Sequence, residues 1–360
     1  MKYYSLKRIL LEEALYNMII GERSNGKTYS VLEKGIKDAL TDGKDMAIIR
    51  RWQDDFKGKR GQQTFASLIE NKVVEKYSKG KYNYIYYYSN RWYFAKKDGE
   101  NVEKCEEPFC YAFALSSMEH DKSTSYPKIY NILFDEFLTR GYYLPDEFVL
   151  FMNVLSTIIR EREGISIFML GNTVNQFCPY FDEMGLHHIK DMKRGDIEVY
   201  TYGESGLKVA VEYAEKTTTG KKSDKYFAFD NPKLKMITGG DWEIDLYPHL
   251  PTKYKPKDIM FNYFIEFGHQ LLHCEIISNE QGNFTYIHKK TTPLKDDNTD
   301  FIFTTSTLNN KYNVRVNIAN VYDTLGKKIY SYFKKDKVFY QSNDVGEIVR
   351  NYLIWCKKSI

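Results

Sequence analysis

Short apolar runs alternate with amphipathic stretches over the first 200 residues. Apolar runs of strand length occupy 15–20, 45–50, 129–134 and 165–170, and residues 29–40 carry apolar side chains at helical spacing. Residues 82–88 and 91–95 are separated by Ser-Asn, which predicts a β-hairpin. Strands that alternate with helices favour an α/β domain with a mainly parallel sheet.

The pattern changes beyond Asp191, where the predicted elements become shorter. Stretches rich in Thr, Gly, Lys or Pro at 217–224, 238–240 and 248–256 indicate connections. Strands at 263–277, 284–290 and 301–305 and helices at 320–333 and 345–356 follow. We therefore predict a first α/β domain over 1–200, a lid or linker region over 201–256 and a smaller α/β domain over 257–360.

Gly21, Gly26, Lys27 and Thr28 occupy the fixed positions of the phosphate-binding loop G-x-x-x-x-G-K-[ST], between a predicted strand and a predicted helix. Backbone N–H groups of such a loop face phosphates, the lysine reaches the β and γ oxygens, and the threonine hydroxyl binds magnesium. A surface loop that merely matches the pattern is the alternative. The residues predicted to bind ATP are Gly21, Ser24, Asn25, Gly26, Lys27 and Thr28.

Polar residues follow the next two strands of the predicted sheet. Asp135 and Glu136 come directly after the strand at 129–134, and Asn172 follows the strand at 165–170. Because ligands bind at the carboxyl ends of parallel strands, we expect Asp135 to hold Mg²⁺ and Glu136 to activate the attacking water. Asn172 is expected to sense the γ-phosphate, although an Asn in a tight turn would look the same.

Arginines are a further requirement of phosphoryl transfer, since they neutralise charge in the transition state. Arg160 and Arg162 precede the strand at 165–170, and we predict that one of them acts on the site of a neighbouring subunit. Salt bridges along a helix are the alternative for both. Arg23 lies inside the phosphate loop and could act within its own subunit.

Composition and charge narrow the protein class. The chain has 360 residues, is 42% hydrophobic and contains no apolar run of membrane-spanning length, so we expect a soluble cytoplasmic protein without membrane contact. Its five cysteines contain no C-x-x-C pair, and His269 and His273 are separated by strand alternation, so neither a disulfide framework nor a zinc site is expected.

Basic residues form two clusters. Lys57, Lys59 and Arg60 follow the second strand. From residue 253 onward the chain contains 16 Lys and Arg but only 11 Asp and Glu, so this part carries a basic excess. Lysines interleaved with aromatic residues suit a nucleic-acid backbone, and Lys334 and Lys335 belong to the densest part of this second cluster. A flexible basic loop and a solvated lysine-rich face are the alternative interpretations.

Together these motifs resemble the DNA-packaging ATPases of phages, in particular the compact motor ATPases of small podophages, which are relatives of terminase large subunits and work with a packaging RNA. The resemblance rests on the arginine within the phosphate loop, the second strand ending in Arg-Arg, the strand ending in Asp-Glu and the R-x-R-E segment before Asn172. It covers about residues 10–180.

The resemblance implies an ASCE/RecA-like P-loop NTPase domain followed by an RNase H-like domain. It also implies a homo-oligomeric ring, usually pentameric in such motors, that works in the host cytoplasm on a viral portal and procapsid. Double-stranded DNA and a packaging RNA would be its partners. Glu266, Asp344 and Glu347 are the only acids placed to serve a nuclease site, and the set is incomplete.

We therefore expect a vestigial nuclease domain in an ATP-driven DNA translocase. A terminase with an active metal-dependent nuclease is one alternative. A nucleic-acid-binding protein regulated by nucleotide is another.

Overall fold

The computed structural model describes residues 4–120, 125–215, 242, 245–250, 253–268, 270–280, 282–292, 294, 300–305 and 314–358. The chain divides into two compact units, Met1–Glu243 and Ile244–Ile360. The predicted connections at 217–224 and 238–240 lie outside the described residues. The predicted boundary at residue 200 falls inside a strand of the first unit.

Ten strands form the sheet of the first unit. They are β1 (Tyr16–Gly21), β2 (Asp45–Arg50), β3 (Tyr84–Tyr88), β4 (Arg91–Asp98), β5 (Asn101–Lys104), β6 (Cys110–Ala114), β7 (Ile129–Asp135), β8 (Ser166–Asn172), β9 (Ile197–Tyr202) and β10 (Leu207–Tyr213). Its helices are α1 (Lys7–Leu10), α2 (Lys27–Asp42), α3 (Lys59–Gln63), α4 (Ala66–Glu70), α5 (Val73–Tyr77), α6 (Glu147–Ile159) and α7 (Pro179–Glu183). Short 3₁₀ turns span Gln53–Phe56, Leu115–His120 and His187–Lys190.

The strand order is β3-β4-β6-β2-β7-β8-β1-β10-β9, with β5 paired to β4. The six strands from β6 to β10 along this order are parallel, and β3, β4, β5 and β9 are antiparallel additions. Strand β8 lies between β1 and β7, which is the strand order of the ASCE class. The predicted α/β fold with a parallel sheet is confirmed.

Both faces of this sheet are buried, which explains why its central strands are continuous apolar runs. Met18 and Ile20 of β1 pack into the cluster that contains α6 and α7, whereas Ile19 packs with α2 on the opposite face. The sequence prediction had located β1, α2, β2, β7, β8 and the hairpin β3–β4. It had not located β6, α6 or the β9–β10 pair, which extends the first sheet beyond residue 200.

The second unit contains a six-stranded sheet. Its strands are β11 (Ile259–Phe267), β12 (Gln270–Asn279), β13 (Gly282–Lys289), β14 (Ile302–Phe303), β15 (Val314–Arg315) and β16 (Val338–Tyr340), and its helices are α8 (Thr324–Lys334) and α9 (Asn343–Lys358). A 3₁₀ turn, Pro256–Asp258, precedes β11. The single strand predicted over 263–277 was wrong, because Gly268, with a φ of 56°, starts a reversal between β11 and β12.

The order of this sheet is β15-β14-β11-β12-β13-β16. Strand β12 is antiparallel to both of its neighbours, β11 and β13, whereas β14 runs parallel to β11 and β15 parallel to β14. The meander β13-β12-β11, continued on the other side of β11 by β14 and β15, is the RNase H-like arrangement that the family resemblance implies. Among the described residues of the whole chain, no helix is both long and apolar enough to cross a membrane.

Candidate functional site

The phosphate loop connects the end of β1 to the start of α2, as the motif predicts. Gly26 has a φ of 95° and Ser24 a φ of 59°, so the loop uses the left-handed backbone region twice before the helix begins. The Asn25 side chain stabilises this turn, because its Oδ1 accepts a hydrogen bond from the Lys27 backbone N–H at 3.2 Å. The loop is thus held in a curved conformation by its own residues.

The Lys27 side chain is buried at the centre of this loop. It is 5% exposed, and its Nζ donates to the Glu22 carbonyl at 2.7 Å and lies 3.5 Å from the Asn172 Oδ1. Burial lowers the pKa of Lys27 to about 8, although the negative charges of Asp135 and Glu22 act in the opposite direction. Burial therefore outweighs the nearby negative charges, and an anionic ligand beside the ammonium group would stabilise its charged form.

The Asp135 carboxylate is also buried, at the end of β7. It accepts hydrogen bonds from the Thr28 hydroxyl at 3.3 Å and from the Arg50 guanidinium at 3.1 Å. Burial raises the pKa of Asp135 above its ordinary value, and the Arg50 charge opposes that rise. The structure therefore brings the predicted magnesium ligands Thr28 and Asp135 into direct contact.

The strand register explains how residues from distant parts of the chain meet. Gly21 is paired with Asn172 across β1 and β8, and Asp135 is paired with Leu170 across β8 and β7. All three strands are parallel, so their carboxyl ends lie along the same edge of the sheet. This edge holds the phosphate loop, Asn172 and Asp135 side by side.

Glu136 follows Asp135 and is exposed at the same edge. Its backbone has a φ of 60°, a conformation that costs a non-glycine residue about 1–3 kcal/mol and that is retained where surrounding contacts impose it. Those contacts come from Arg51, whose guanidinium donates to the carbonyl oxygens of Glu136 at 3.3 Å and Phe137 at 2.9 Å.

Arg51 is itself fixed by a buried ion pair with Glu147, the first residue of α6. Its Nε and Nη2 donate to the two carboxylate oxygens at 2.7 and 2.8 Å, and the Arg51 and Glu147 side chains are 7% and 0% exposed. Glu147 also accepts from the Tyr180 hydroxyl at 3.0 Å and from the Leu144 N–H at 2.7 Å. This network holds the turn that carries Glu136.

Arg162 lies at the opposite edge of the sheet, where its guanidinium caps the C-terminal end of helix α6. It donates to the carbonyl oxygens of Ile158 at 2.6 Å, Ile159 at 3.1 Å and Pro127 at 2.7 Å, and it packs over the Tyr130 ring. Pro127 precedes β7, whereas Asp135 ends it, and a strand of this length spans about 20 Å. Arg162 therefore does not reach the phosphate loop of its own chain.

Arg160 is exposed beside a surface groove formed with Tyr16 and Met152. Tyr16 begins β1, and the phosphate loop follows the other end of that strand. Helix α6 ends at Ile159, and Arg160 has a φ of 43°, so Arg160 and Arg162 do not lie on a regular helix. Arg23, by contrast, lies in the phosphate loop and is exposed.

The first basic cluster is ordered on the surface of the first unit. The Tyr87 hydroxyl donates to the Phe56 carbonyl at 2.6 Å and the Trp92 indole N–H donates to the Gly61 carbonyl at 2.8 Å, so the segment is attached to the β3–β4 hairpin. Lys57, Lys59 and Arg60 are exposed. Acids of the same segment partly neutralise them, since Lys57 contacts Asp54 at 2.6 Å and Arg60 lies 3.8 Å from Asp55.

Lys334 and Lys335 are exposed at the end of α8 in the second unit. The acids considered for a nuclease site do not converge in this unit. Glu266 near the end of β11 accepts a hydrogen bond from the Thr304 hydroxyl at 3.1 Å, and Glu347 accepts one from the Tyr247 hydroxyl at 2.7 Å. Within the described part of the chain, no group of three potential metal ligands includes Glu266, Asp344 or Glu347.

Sequence reasoning missed three residues that organise the site. Arg50 and Arg51 look from the sequence like the start of the basic segment after β2, yet they bind Asp135 and Glu147 inside the first unit. The signal for Arg50 and Arg51 was their position directly after a buried strand, the one that follows the phosphate-loop helix in the sequence. Glu147 carried no motif, because its partner lies 96 positions earlier in the sequence.

The fold and this edge of the sheet define the class of protein. A parallel sheet in which β8 lies between the phosphate-loop strand and the strand that ends in Asp-Glu, with Lys27, Thr28, Asp135 and Asn172 in contact, is the architecture of an ASCE-type P-loop NTPase.

The chain belongs to the family of podovirus DNA encapsidation proteins (Gp16), whose family model matches residues 1–359. It is 25% identical over 182 residues to the DNA packaging protein of Bacillus phage phi29, and the aligned region covers 50% of this chain and 49% of that protein. It is 27% identical over 181 residues to that of Bacillus phage B103, covering 49% and 50%. The matched region thus spans about half the length of these curated relatives.

Solved structures share the fold over the full chain. The bacteriophage Phi-29 viral genome packaging motor assembly contains a similar chain, with a TM-score of 0.58, 20% identity and coverage of 99% of this chain and 98% of that one. The Phi-28 gp11 DNA packaging motor gives a TM-score of 0.56 at 20% identity, with coverage of 99% and 96%.

We predict that Arg51→Ala destabilises the protein by about 3–5 kcal/mol, because Glu147 would remain buried without its partner. The double variant Arg51→Met, Glu147→Leu should recover much of this loss, since no charge is left buried. Urea-induced unfolding measures both changes. The control is Lys128→Ala, which removes an exposed ion pair with Glu107 and should change stability little. Equal unfolding of Arg51→Ala and wild type would contradict the assignment.

Proposed function

We propose that this chain is the subunit of an ATP-hydrolysing motor that translocates double-stranded DNA into a viral procapsid. The observation that carries the proposal is the contact of Lys27 and Thr28 with Asn172 and Asp135 at one sheet edge. Membership of a DNA encapsidation family supports the choice of substrate. The curated relatives it matches are described as DNA packaging proteins.

The residues present suit a magnesium–triphosphate ligand. Among the residues that the structure describes, none donates to or accepts from the buried Nδ2 of Asn25, which suits an acceptor oxygen entering the phosphate loop. Thr28 and Asp135 supply the oxygen ligands that Mg²⁺ prefers, and we assign them to hold it. The ion would neutralise charge on the phosphates.

The remaining steps belong to side chains of this chain. The Lys27 ammonium would neutralise the β and γ oxygens of ATP. Glu136, exposed beside Asp135, would orient the attacking water and accept its proton. Asn172, the last residue of β8, is already in contact with Lys27, and its position would change when the γ-phosphate is lost, which would shift β8. Arg23 is a further candidate for the phosphates, from within the loop.

A second subunit would complete the site. Arg162 uses its guanidinium to end α6, whereas Arg160 is exposed next to it, so we assign the trans-acting role to Arg160. This assignment requires a homo-oligomer, for which we propose a ring, pentameric as the family resemblance implies. The ring would work in the host cytoplasm, bound transiently at the portal of the procapsid.

Two exposed basic groups would contact nucleic acid. Lys57, Lys59 and Arg60 lie on an ordered segment of the first unit, and Lys334 and Lys335 end α8 in the second. Exposed cations of this kind bind phosphates without reading sequence, which suits a translocase. We propose double-stranded DNA as the ligand of the first group and DNA or a packaging RNA as the ligand of the second.

Glu136→Gln should lower kcat for ATP by about 10²- to 10⁴-fold with little change in ATP affinity, because it removes the general base and leaves the loop intact. Lys27→Ala should weaken binding as well. The measurement is ATP hydrolysis with double-stranded DNA and purified procapsid, and Lys37→Ala, an exposed lysine on the same helix, is the control. Tight binding without turnover in the wild type would favour a nucleotide-regulated binding protein instead.

The lowered pKa of Lys27 predicts a pH dependence of ATP binding. Phosphates favour the charged ammonium, so affinity should fall as the pH rises through about 8, by about tenfold between about pH 7 and about pH 9. Equilibrium titration with a fluorescent ATP analogue measures this, and calorimetry at about pH 8 should show proton uptake. Lys27→Arg should flatten the profile, because a guanidinium does not titrate in this range. A flat wild-type profile without proton uptake would contradict the prediction.

Mixing subunits tests the trans-acting arginine. Arg160→Ala and Glu136→Gln subunits are each expected to be inactive, yet their mixture should recover hydrolysis, because some interfaces then join an intact Glu136 to an intact Arg160. Arg162→Ala should instead destabilise the end of α6 and lower the unfolding midpoint. Absence of recovery at every mixing ratio would exclude Arg160 from this role.

A further inference from the structure

A cluster of three potential metal ligands lies on the sheet of the second unit. His273 and Glu275 are two positions apart on β12 and therefore share a face, and His288 of β13 is the direct cross-strand partner of His273. The ligand atoms of His273, Glu275 and His288 all lie within 4.8 Å of one another.

The cluster faces away from the core of this unit. Leu272 and Cys274, which alternate with the cluster residues along β12, are fully buried, whereas His273 and His288 are half-buried. The two imidazoles are therefore accessible to a small ion from solvent. Glu275 is 8% exposed, so its carboxylate is partly withdrawn from water beside the two imidazole rings.

Each histidine has a hydrogen-bond partner that leaves the other ring nitrogen for a metal. The Nε2 of His273 lies 2.9 Å from the Asn262 Oδ1, which leaves its Nδ1 available. The Nδ1 of His288 lies 3.1 Å from the Lys289 carbonyl, and its Nε2 points to Glu275, 3.8 Å from Oε2. Such outer partners fix the tautomer and orientation of metal-binding histidines.

Glu275 is oriented in the same way. The Tyr254 hydroxyl donates a hydrogen bond to Oε2 of Glu275, which leaves the other oxygen free of that contact. Burial and the neighbouring His288 lower the pKa of His273. Lys290 is the cation that acts on His273, and the Glu275 and Asp300 carboxylates act against it.

We propose that His273, Glu275 and His288 bind one divalent transition-metal ion of the zinc type. Two imidazoles and one carboxylate are a recurrent zinc ligand set, with the fourth position left for water. Zinc ligands lie about 2.0–2.2 Å from the metal, so neighbouring ligand atoms are about 3.3 Å apart, and small side-chain rotations close the present separations. Imidazole ligands disfavour Mg²⁺, so this site is chemically distinct from the one assigned to Thr28 and Asp135.

Bound metal would cross-link β12 to β13 and, through Tyr254, attach the segment before β11 to the sheet. In the sequence, His273 pairs by spacing only with His269, which lies outside the described residues. The partner of His273 is instead His288, 15 positions later, because the two strands are antiparallel and place them in register.

Calorimetric titration of the metal-stripped full chain with Zn²⁺, without nucleotide, tests the proposal. We expect a single equivalent to bind in the wild type and to be lost in His273→Ala and His288→Ala, while His188→Ala, an exposed histidine of the first unit, binds like the wild type. Asn262→Ala should weaken binding by about tenfold or more, since it removes only an outer partner. Mg²⁺ in excess should not displace the zinc.

Two further readouts separate the site from adventitious binding and from unfolding. Co²⁺ should give visible ligand-field bands without a thiolate charge-transfer band, and Zn²⁺ should raise the unfolding temperature of the wild type but not of His273→Ala. Far-UV circular dichroism shows whether the variants fold. Absence of Zn²⁺ binding, or binding that is unchanged when both cluster histidines are replaced in a folded chain, would overturn the proposal.

Discussion

The buried carboxylate of Asp135 is the constraint around which the ligand-binding edge of the first unit is built. Withdrawing a carboxylate from water is costly unless hydrogen bonds and opposite charge compensate. Here the hydroxyl of Thr28 and the guanidinium of Arg50 provide both, at 3.3 and 3.1 Å. These partners come from α2 and β2, so satisfying one carboxylate also fixes the phosphate-loop helix and a neighbouring strand against β7.

The adjacent arginine serves a different purpose, because successive residues at a strand end project in opposite directions. Arg51 binds Glu147 and the carbonyl oxygens of the turn that carries Glu136. A strained backbone at Glu136 is thus maintained by a buried ion pair rather than by local sequence preference. The position of the exposed Glu136 carboxylate therefore depends on the contact of Arg51 with Glu147, the first residue of α6.

The second unit keeps an RNase H-like strand order, and among its described residues no group of three acids converges as two-metal cleavage needs. Glu266, where such a site would begin, is bonded to the Thr304 hydroxyl rather than facing a second acid. The histidine cluster lies elsewhere, on β12 and β13, and offers two imidazoles with one carboxylate. Metal binding there suits a structural cross-link rather than two-metal hydrolysis.

The α/β class, the phosphate loop and the acids at the end of β7 can be predicted without a structure, because they follow from local periodicity and from a motif of contiguous residues. Three features become visible only in the folded chain: the partners of Arg50 and Arg51, the place of the β9–β10 pair in the first sheet, and the contact of His273 with His288. Each of these depends on strand order and register. Those are set by packing between distant segments, which periodicity along the chain does not encode.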